Sequence, residues 1–309
     1  MHVLIDAPAK VNLCLLVGPR RPDGYHELFS VFVPVDLCDE VEFSLVLRPS
    51  GTEAGTHLVE LHCPGIEGGD NLAIRALRAV EKLSGRSIAG SVRIEKRIPV
   101  GAGMGGGSSD AAAALRAAAQ LLDEEGGIHI EVAQLHDLAR SLGADVPFFL
   151  EGRPAVARGI GDRLEAIDLP PLSLVLLLPE EHLGTKEVYG EFDRQSAAGD
   201  DRRFAENVAR AEASWARLSA AGGRSGLGCA ETAAAIAGLL ENDLEGASFS
   251  LVPDLIERRK AVEEEGALGV LMSGSGPTLF GLCASPDHAA EVGRGLAARG
   301  YRTRTVMTS

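Results

Sequence analysis

Pro99-Val100-Gly101-Ala102-Gly103-Met104-Gly105-Gly106-Gly107-Ser108-Ser109-Asp110-Ala111-Ala112 is the stretch whose reading decides the fold. Glycine lets a backbone take positive φ and lets its N–H groups approach a ligand closely. Ser108, Ser109 and Asp110 are cap-type residues ahead of a run of helix formers. A helix start presents unpaired N–H groups and a partial positive charge, which suits phosphate. Three phosphate-loop readings compete. Gly101, Gly103 and Gly106 match G-x-G-x-x-G, but a dinucleotide site needs a second strand ending in an acid about 20 residues on. Here the helix runs into Asp123-Glu124-Glu125-Gly126-Gly127, a turn. A G-x-x-x-x-G-K-[ST] loop needs a lysine where Gly107 stands. The third reading is a glycine loop that draws its cations and proton acceptor from elsewhere. The alternative, a capped turn with no ligand, spends much chain entropy to no purpose.

Outward from this loop, the first third of the chain reads mostly as strands: Val3 to Asp6, Val11 to Val17, Val31 to Val35, Val41 to Leu47 and Leu58 to His62. From Asn71 the apolar period becomes helical, with Asp70 or Asn71 as cap. Ser91 to Lys96 alternates as a strand, the post-loop helix runs to about Leu122, and Glu131 to Leu142 is helical. Val146 to Leu150 reads as a buried strand. The second half mixes strands (Ala155 to Arg158, Arg163 to Ile167, Leu172 to Leu178, Val270 to Met272, Thr278 to Cys283, Arg302 to Met307) with helical patterns from Thr185, Ala205, Thr232, Pro253 and Asp287. Such mixing without strict alternation predicts an α+β fold. Ser196 to Arg203 is polar and reads as a loop.

With 309 residues, the chain has room for about two domains. The net charge is −14, from 30 basic and 44 acidic residues, and no basic run occurs. That composition argues against a nucleic-acid partner or a membrane-surface protein. The start, Met1 to Asp6, reads as neither signal nor transit peptide, so a cytoplasmic location is expected. Five cysteines without Cys-x-x-Cys argue against a disulfide framework or thiolate zinc site. His57, His62 and Cys63 lie close and read as one half-exposed strand rather than ligands.

Three further segments carry candidate chemistry. Lys10 stands between two strand-like segments with Asn12 beyond it; it is either a solvated lysine or a site cation. Asp145, in Gly143-Ala144-Asp145-Val146-Pro147, is either a cap or a carboxylate held as a base. Arg20-Arg21-Pro22-Asp23-Gly24-Tyr25-His26 is a turn with two cations and an aromatic pair.

Taken in order, these segments resemble the GHMP kinase superfamily. Residues 99–112 resemble its ATP-phosphate loop, and Leu271-Met272-Ser273-Gly274-Ser275-Gly276-Pro277-Thr278 its C-terminal glycine motif. Ala7-Pro8-Ala9-Lys10-Val11-Asn12-Leu13, Arg21 to His26, Gly143 to Pro147, Thr185-Lys186-Glu187-Val188-Tyr189 and Asn242-Asp243-Leu244 are similar to the branch acting on a cytidine diphosphate derivative of methylerythritol. The resemblance implies a two-domain GHMP kinase fold, residues 1–157 for ATP and 158–309 for the C-terminal domain, with the active site in the cleft between domains. It implies ATP as co-substrate, a small-molecule substrate, and a monomer or homodimer. Asp145 would be the general base and Lys10 its charge-stabilising partner. Pro99, Gly101, Ala102, Gly103, Met104, Gly105, Gly106, Gly107, Ser108 and Ser109 would hold the phosphates, with Lys96 and Asn71 near adenosine. Asn12, Thr185 and Gly274 would contact substrate, Tyr25 and Tyr189 would stack on cytosine, and His26 would meet its edge. Ala102 and Asp110 depart from some members, which carry Gly and Asn. No acidic pair marks a metal site, so Mg²⁺ follows from ATP chemistry alone. A nucleotide-binding regulator without turnover would need neither Lys10 nor Asp145. A dinucleotide oxidoreductase lacks its second strand and acid.

Overall fold

The computed structural model describes residues 1–48, 58–64, 71–195, 201–222 and 229–308. His57, Asp70 and residues 196–200 of the polar loop lie outside them. The strands are β1 (His2–Arg20), β2 (His26–Leu47), β3 (Val59–His62), β4 (Ile88–Glu95), β5 (Ala155–Gly159), β6 (Arg163–Ala166), β7 (Ser173–Leu177), β8 (Glu241–Asn242), β9 (Gly269–Met272), β10 (Leu279–Cys283) and β11 (Thr303–Met307). The helices are α1 (Leu72–Ser84), α2 (Gly106–Gly126), α3 (Val132–Leu142), α4 (Val146–Glu151), α5 (Thr185–Gln195), α6 (Asp201–Gly222), α7 (Cys229–Ala237), α8 (Glu245–Leu251), α9 (Asp254–Glu264) and α10 (Pro286–Ala298). They form two compact units. Unit 1 holds Met1–Ala9, Leu37–Ile98 and Gly105–Gly152; unit 2 holds Lys10–Asp36, Pro99–Met104 and Arg153–Ser309.

In unit 1, the second half of β2 pairs antiparallel with β4, from Glu40 opposite Glu95 to Leu47 opposite Ile88, and β3 runs parallel to β4. The Asn71 side chain caps α1 by accepting from the Ala73 N–H at 2.8 Å. Helix α2 buries Ala111 to Leu115, Ala117, Ala118, Leu121 and Leu122. Alanines let neighbours approach closely, and α1 and α4 both pack against it. Val146 to Leu150 is helical, in α4, not the strand its apolar run suggests. A short buried run has no diagnostic period, and Pro147 in the first turn favours a helix start.

In unit 2, the first half of β2 pairs antiparallel with β5, β5 with β6, and β1 lies parallel to β8 with Leu15 opposite Asn242. A second, antiparallel sheet has the order β11-β7-β10-β9. Its core includes Val175, Leu177, Val262, Met272, Leu279, Val292 and Leu296. The turn from β9 to β10 is closed by the Ser273 N–H donating to the Thr278 carbonyl at 2.9 Å. The two strands read before and after Ala7-Pro8-Ala9-Lys10 are one, β1: proline keeps an extended φ, and Ala7 and Ala9 are fully buried.

Candidate active site

The glycine loop is held by its own backbone. The Lys10 N–H donates to the Met104 carbonyl at 3.0 Å, and the Ser273 hydroxyl to the Gly103 carbonyl at 3.0 Å. Gly103 has φ +75°, and a Cβ built there would lie 2.2 Å from the Ser273 carbonyl oxygen. Only glycine fits this approach. Helix α2 then starts at Gly106 with Gly105 as its N-cap, without a side-chain cap. Ser108, Ser109 and Asp110, expected as caps, lie inside its first turns, because the positive φ of Gly105 (70°) already turns the chain into the helix. No side chain of the N-cap residue therefore covers the first N–H groups of α2. The Ser109 Oγ is buried and makes no hydrogen bond.

Lys96 lies behind this start. Its ammonium donates to Asp39 Oδ2 and, at 2.9 Å, to Asp110 Oδ2. Asp39 is fully buried, and its Oδ1 also accepts from the N–H groups of Arg97 (2.6 Å) and Ile98 (2.8 Å). Burial pulls the Lys96 ammonium down, but Asp110 and Asp39 outweigh it and hold it above its ordinary value. Burial pushes the Asp110 carboxyl up to about 6, with Lys96 opposing and Asp39 adding to the rise. Asp39 was not singled out by sequence. Its signal was an acid in step with Leu37, Val41, Phe43 and Leu45, all on the buried face of β2.

In unit 2, Lys10, Asn12, Gly103 and Gly274 come together. The buried Lys10 donates to Asn12 Oδ1 at 2.6 Å, and Asn12 donates to the Ser30 hydroxyl at 2.9 Å. Lys10 Nζ also lies 5.0 Å from the centroid of the Phe32 ring. A Cβ on Gly274 would lie 3.4 Å from both Lys10 Nζ and Asn12 Oδ1 and 3.0 Å from the Gly103 carbonyl. Asn242 secures this turn, donating to the carbonyls of Met272 (2.7 Å) and Gly274 (2.8 Å). Thr185, at the start of α5, shares a hydrogen bond with the Ser275 hydroxyl at 3.0 Å.

A second constellation in unit 2 is aromatic. His26 is buried; its Nδ1 lies 2.8 Å from the Gly18 carbonyl and its Nε2 3.2 Å from an Asp193 oxygen. Tyr189 and Phe192, four and seven residues into α5, flank its ring with centroids 5.2 and 5.9 Å away. Tyr25 is 59% exposed, a large aromatic left open to solvent. Its backbone is fixed by the Asp23 carboxylate (3.1 Å) and the Arg21 N–H (2.6 Å). Asp193, Ser30 and Asn242 were not assigned roles from sequence, since each reaches a partner distant in the chain.

Asp145 and Asn71 belong to unit 1. Asp145 sits at the N-cap position of α4 with φ −83°, and its carboxylate makes no capping hydrogen bond there. Asn71 is engaged as the cap of α1.

Residues 71–153 match the GHMP kinases N terminal domain, and residues 224–302 the GHMP kinases C terminal domain. The chain belongs to the GHMP kinase family. A Thermus thermophilus relative named 4-diphosphocytidyl-2-C-methyl-D-erythritol kinase is 40% identical over 299 residues, 95% of this chain and 92% of its own. A crystal structure of 4-(cytidine 5'-diphospho)-2C-methyl-D-erythritol kinase aligns over 99% of both chains, with TM-score 0.72 and 36% identity. Homoserine kinase from Cytophaga hutchinsonii aligns over 100% of this chain and 94% of its own with TM-score 0.71 at 21% identity, a likeness of fold. The α+β, two-domain GHMP kinase fold implied by the motifs is therefore the fold of this chain. This GHMP kinase is an enzyme, and its family implies ATP as co-substrate. Among the described residues no helix is long and apolar enough to cross a membrane.

Proposed function

We propose that this GHMP kinase transfers the γ-phosphoryl group of ATP to the 2-hydroxyl of 4-diphosphocytidyl-2-C-methyl-D-erythritol, a step of non-mevalonate isoprenoid synthesis in the cytoplasm. The observation that carries the reading is the buried His26 flanked by Tyr189, with Tyr25 exposed one residue before it. A flat ring with a polar edge suits such a site, whereas a plain sugar or mevalonate offers nothing to stack. Residues 1–157 would serve ATP and 158–309 the C-terminal part of the site.

Phosphoryl transfer asks the protein mainly for positioning and charge stabilisation. Residues 99–109 would cradle the phosphates with backbone N–H groups and the N-terminus of α2, while Asn71 and Lys96 lie toward adenosine. Asp145 would accept the proton of the attacking hydroxyl. Lys10 would lie beside that hydroxyl and favour the ionised carboxylate. Asn12, Gly274 and Thr185 would hold the substrate, with Thr185 toward its diphosphate. Mg²⁺ fits one feature of the chain: the buried, unbonded Ser109 hydroxyl in the first turn of α2. Among the described residues no cluster of three or more His, Cys, Asp or Glu could hold a metal, so ATP oxygens and water would complete its shell. The ion would neutralise charge on the transferring group.

The test is ADP release with ATP, Mg²⁺ and the cytidylated alcohol, run beside methylerythritol alone. Release with the cytidylated alcohol only is expected. Equal release with both would remove the cytosine site from the reading, and release with neither would defeat it.

A further inference from the structure

The segment Pro99–Met104 leaves unit 1 after Ile98 and returns to it at Gly105. Those two points are joined by buried charges. Asp39 Oδ1 grips the N–H groups of Arg97 and Ile98, at the end that precedes the loop. Its other oxygen receives Lys96, and Lys96 reaches on to Asp110, one turn inside α2. A Cβ on Gly106 would lie 3.0 Å from Ile98 Cγ2 and 3.2 Å from Lys96 Nζ, so both side chains press on the first residue of the helix.

We propose that Asp39 and Lys96 are positioning residues: with Asp110 they clamp the chain entering the phosphate loop to the helix leaving it, and so fix the loop for nucleotide. The inference deepens the kinase reading and rests on 99–109 being the ATP-phosphate loop. The three side chains carry −1, +1 and −1, a net charge of −1. A lysine recruited to attract polyphosphate would not be held between two buried carboxylates. A lysine that closes a clamp must be. Asp39 serves the backbone with one oxygen and the ammonium with the other, and it is fully buried.

The clamp makes a coupling prediction that a direct contact does not. Lys96→Met leaves two buried carboxylates uncompensated, and removing one of those charges relieves the fault. Binding of a fluorescent ATP analogue, melting temperature and steady-state ADP release are measured for wild type, Lys96→Met, Asp110→Asn and the double variant. Lys96→Met is expected to weaken the analogue by about tenfold, and the double variant to recover about threefold or more of that loss. KM for the alcohol should change by less than about twofold, since the clamp lies on the nucleotide side. A double variant that binds as weakly as Lys96→Met overturns the clamp and makes Lys96 a direct ligand. If Lys96→Met does not fold, Asp39→Asn decides: a raised KM for ATP at unchanged melting temperature supports the clamp, and an unchanged KM overturns it. The binding readout needs no alcohol. Failure of wild type to release ADP would therefore strike the substrate assignment and leave the clamp to its own test.

Discussion

Gly103→Ala tests whether the glycine loop is shaped by the β9–β10 turn. The residue has φ +75°, and holding an L-side chain in the left-handed region costs about 1–2 kcal/mol. The new Cβ would also stand 2.2 Å from the Ser273 carbonyl oxygen and 2.8 Å from the Gly276 nitrogen. These are backbone atoms and cannot swing aside, so the turn must shift, at about 1–3 kcal/mol for overpacking. The total is about 2–5 kcal/mol. Gly101→Ala is the matched control. Its φ is +67°, but the nearest obstacle is the exposed His182 side chain at 3.1 Å, which can shift by yielding its solvent-exposed contact with the Val100 carbonyl. The control therefore bears the conformational cost alone, about 1–2 kcal/mol. Urea unfolding of both variants should show Gly103→Ala less stable than Gly101→Ala by about 1–3 kcal/mol. Because the same turn sets Gly274 against Lys10 and Asn12, ADP release should fall further in Gly103→Ala as well. Equal losses in the two variants would refute the close approach as the reason for glycine at 103.

Asp145→Asn is expected to lower kcat by about 10²–10⁴-fold while KM for ATP stays near wild type, as for loss of a general base; a near-normal kcat would remove Asp145 from the chemistry. Tyr25→Ala should raise KM for the cytidylated alcohol by the worth of one stacked base, about 1–3 kcal/mol, and spare KM for ATP. Equal effects on both would contradict the assigned pocket. A hydrogen bond from Arg258 at 2.7 Å holds the Glu181 carboxyl down to about 2. A depressed acid stabilises the fold above its unfolded value of about 4.3 and loses that contribution as pH falls toward 2. Arg258→Gln should thus cost about 0.2–1 kcal/mol at pH 7, the range for exposed pairs, and the gap should close in urea titrations near pH 2–3. A gap independent of pH would assign the loss to packing of the arginine stem.

What could be read from the sequence was what acts locally. Asn71 ahead of a 3.6-residue period marked the cap of α1, and Gly143 marked the end of α3. The glycine density at 99–112 marked a chain that leaves ordinary backbone geometry, and Gly101, Gly103 and Gly105 do take positive φ. What escaped were features decided by partners far along the chain. Val3 to Asp6 and Val11 to Val17 read as two strands, though Ala7 and Ala9 between them are buried and β1 runs on through both. Val146 to Leu150 read as a strand because five residues cannot display a period; packing against α2 and α3 decides for α4. Helix α8 has little apolar pattern of its own, and it is placed by Ser248 reaching the Ser275 carbonyl and by Glu245 accepting the Met272 N–H. Asp39 was invisible as chemistry because its ligands, Lys96 and two backbone N–H groups, lie more than fifty residues away.

The net charge of −14 sharpens the role of the loop. ATP is itself strongly anionic, so the long-range field of this chain repels it. Lys96, beside the start of α2, does not reverse that field locally, because Asp39 and Asp110 more than cancel it. Attraction must then come from groups whose effect is strong at contact and negligible beyond it. Backbone N–H groups and the N-terminus of a helix have that character, since their partial charges act within about one turn. Such groups work only when aimed, and aiming them requires a chain that can take left-handed φ at Gly103 and pass within contact of the Ser273 carbonyl. Glycine supplies the freedom, and the buried ion triad together with the Ser273 turn removes it again. With residues 99–109 holding ATP as proposed, the acidic charge and the glycine-rich loop belong to one design, in which nucleotide is selected by geometry at short range rather than by charge at a distance.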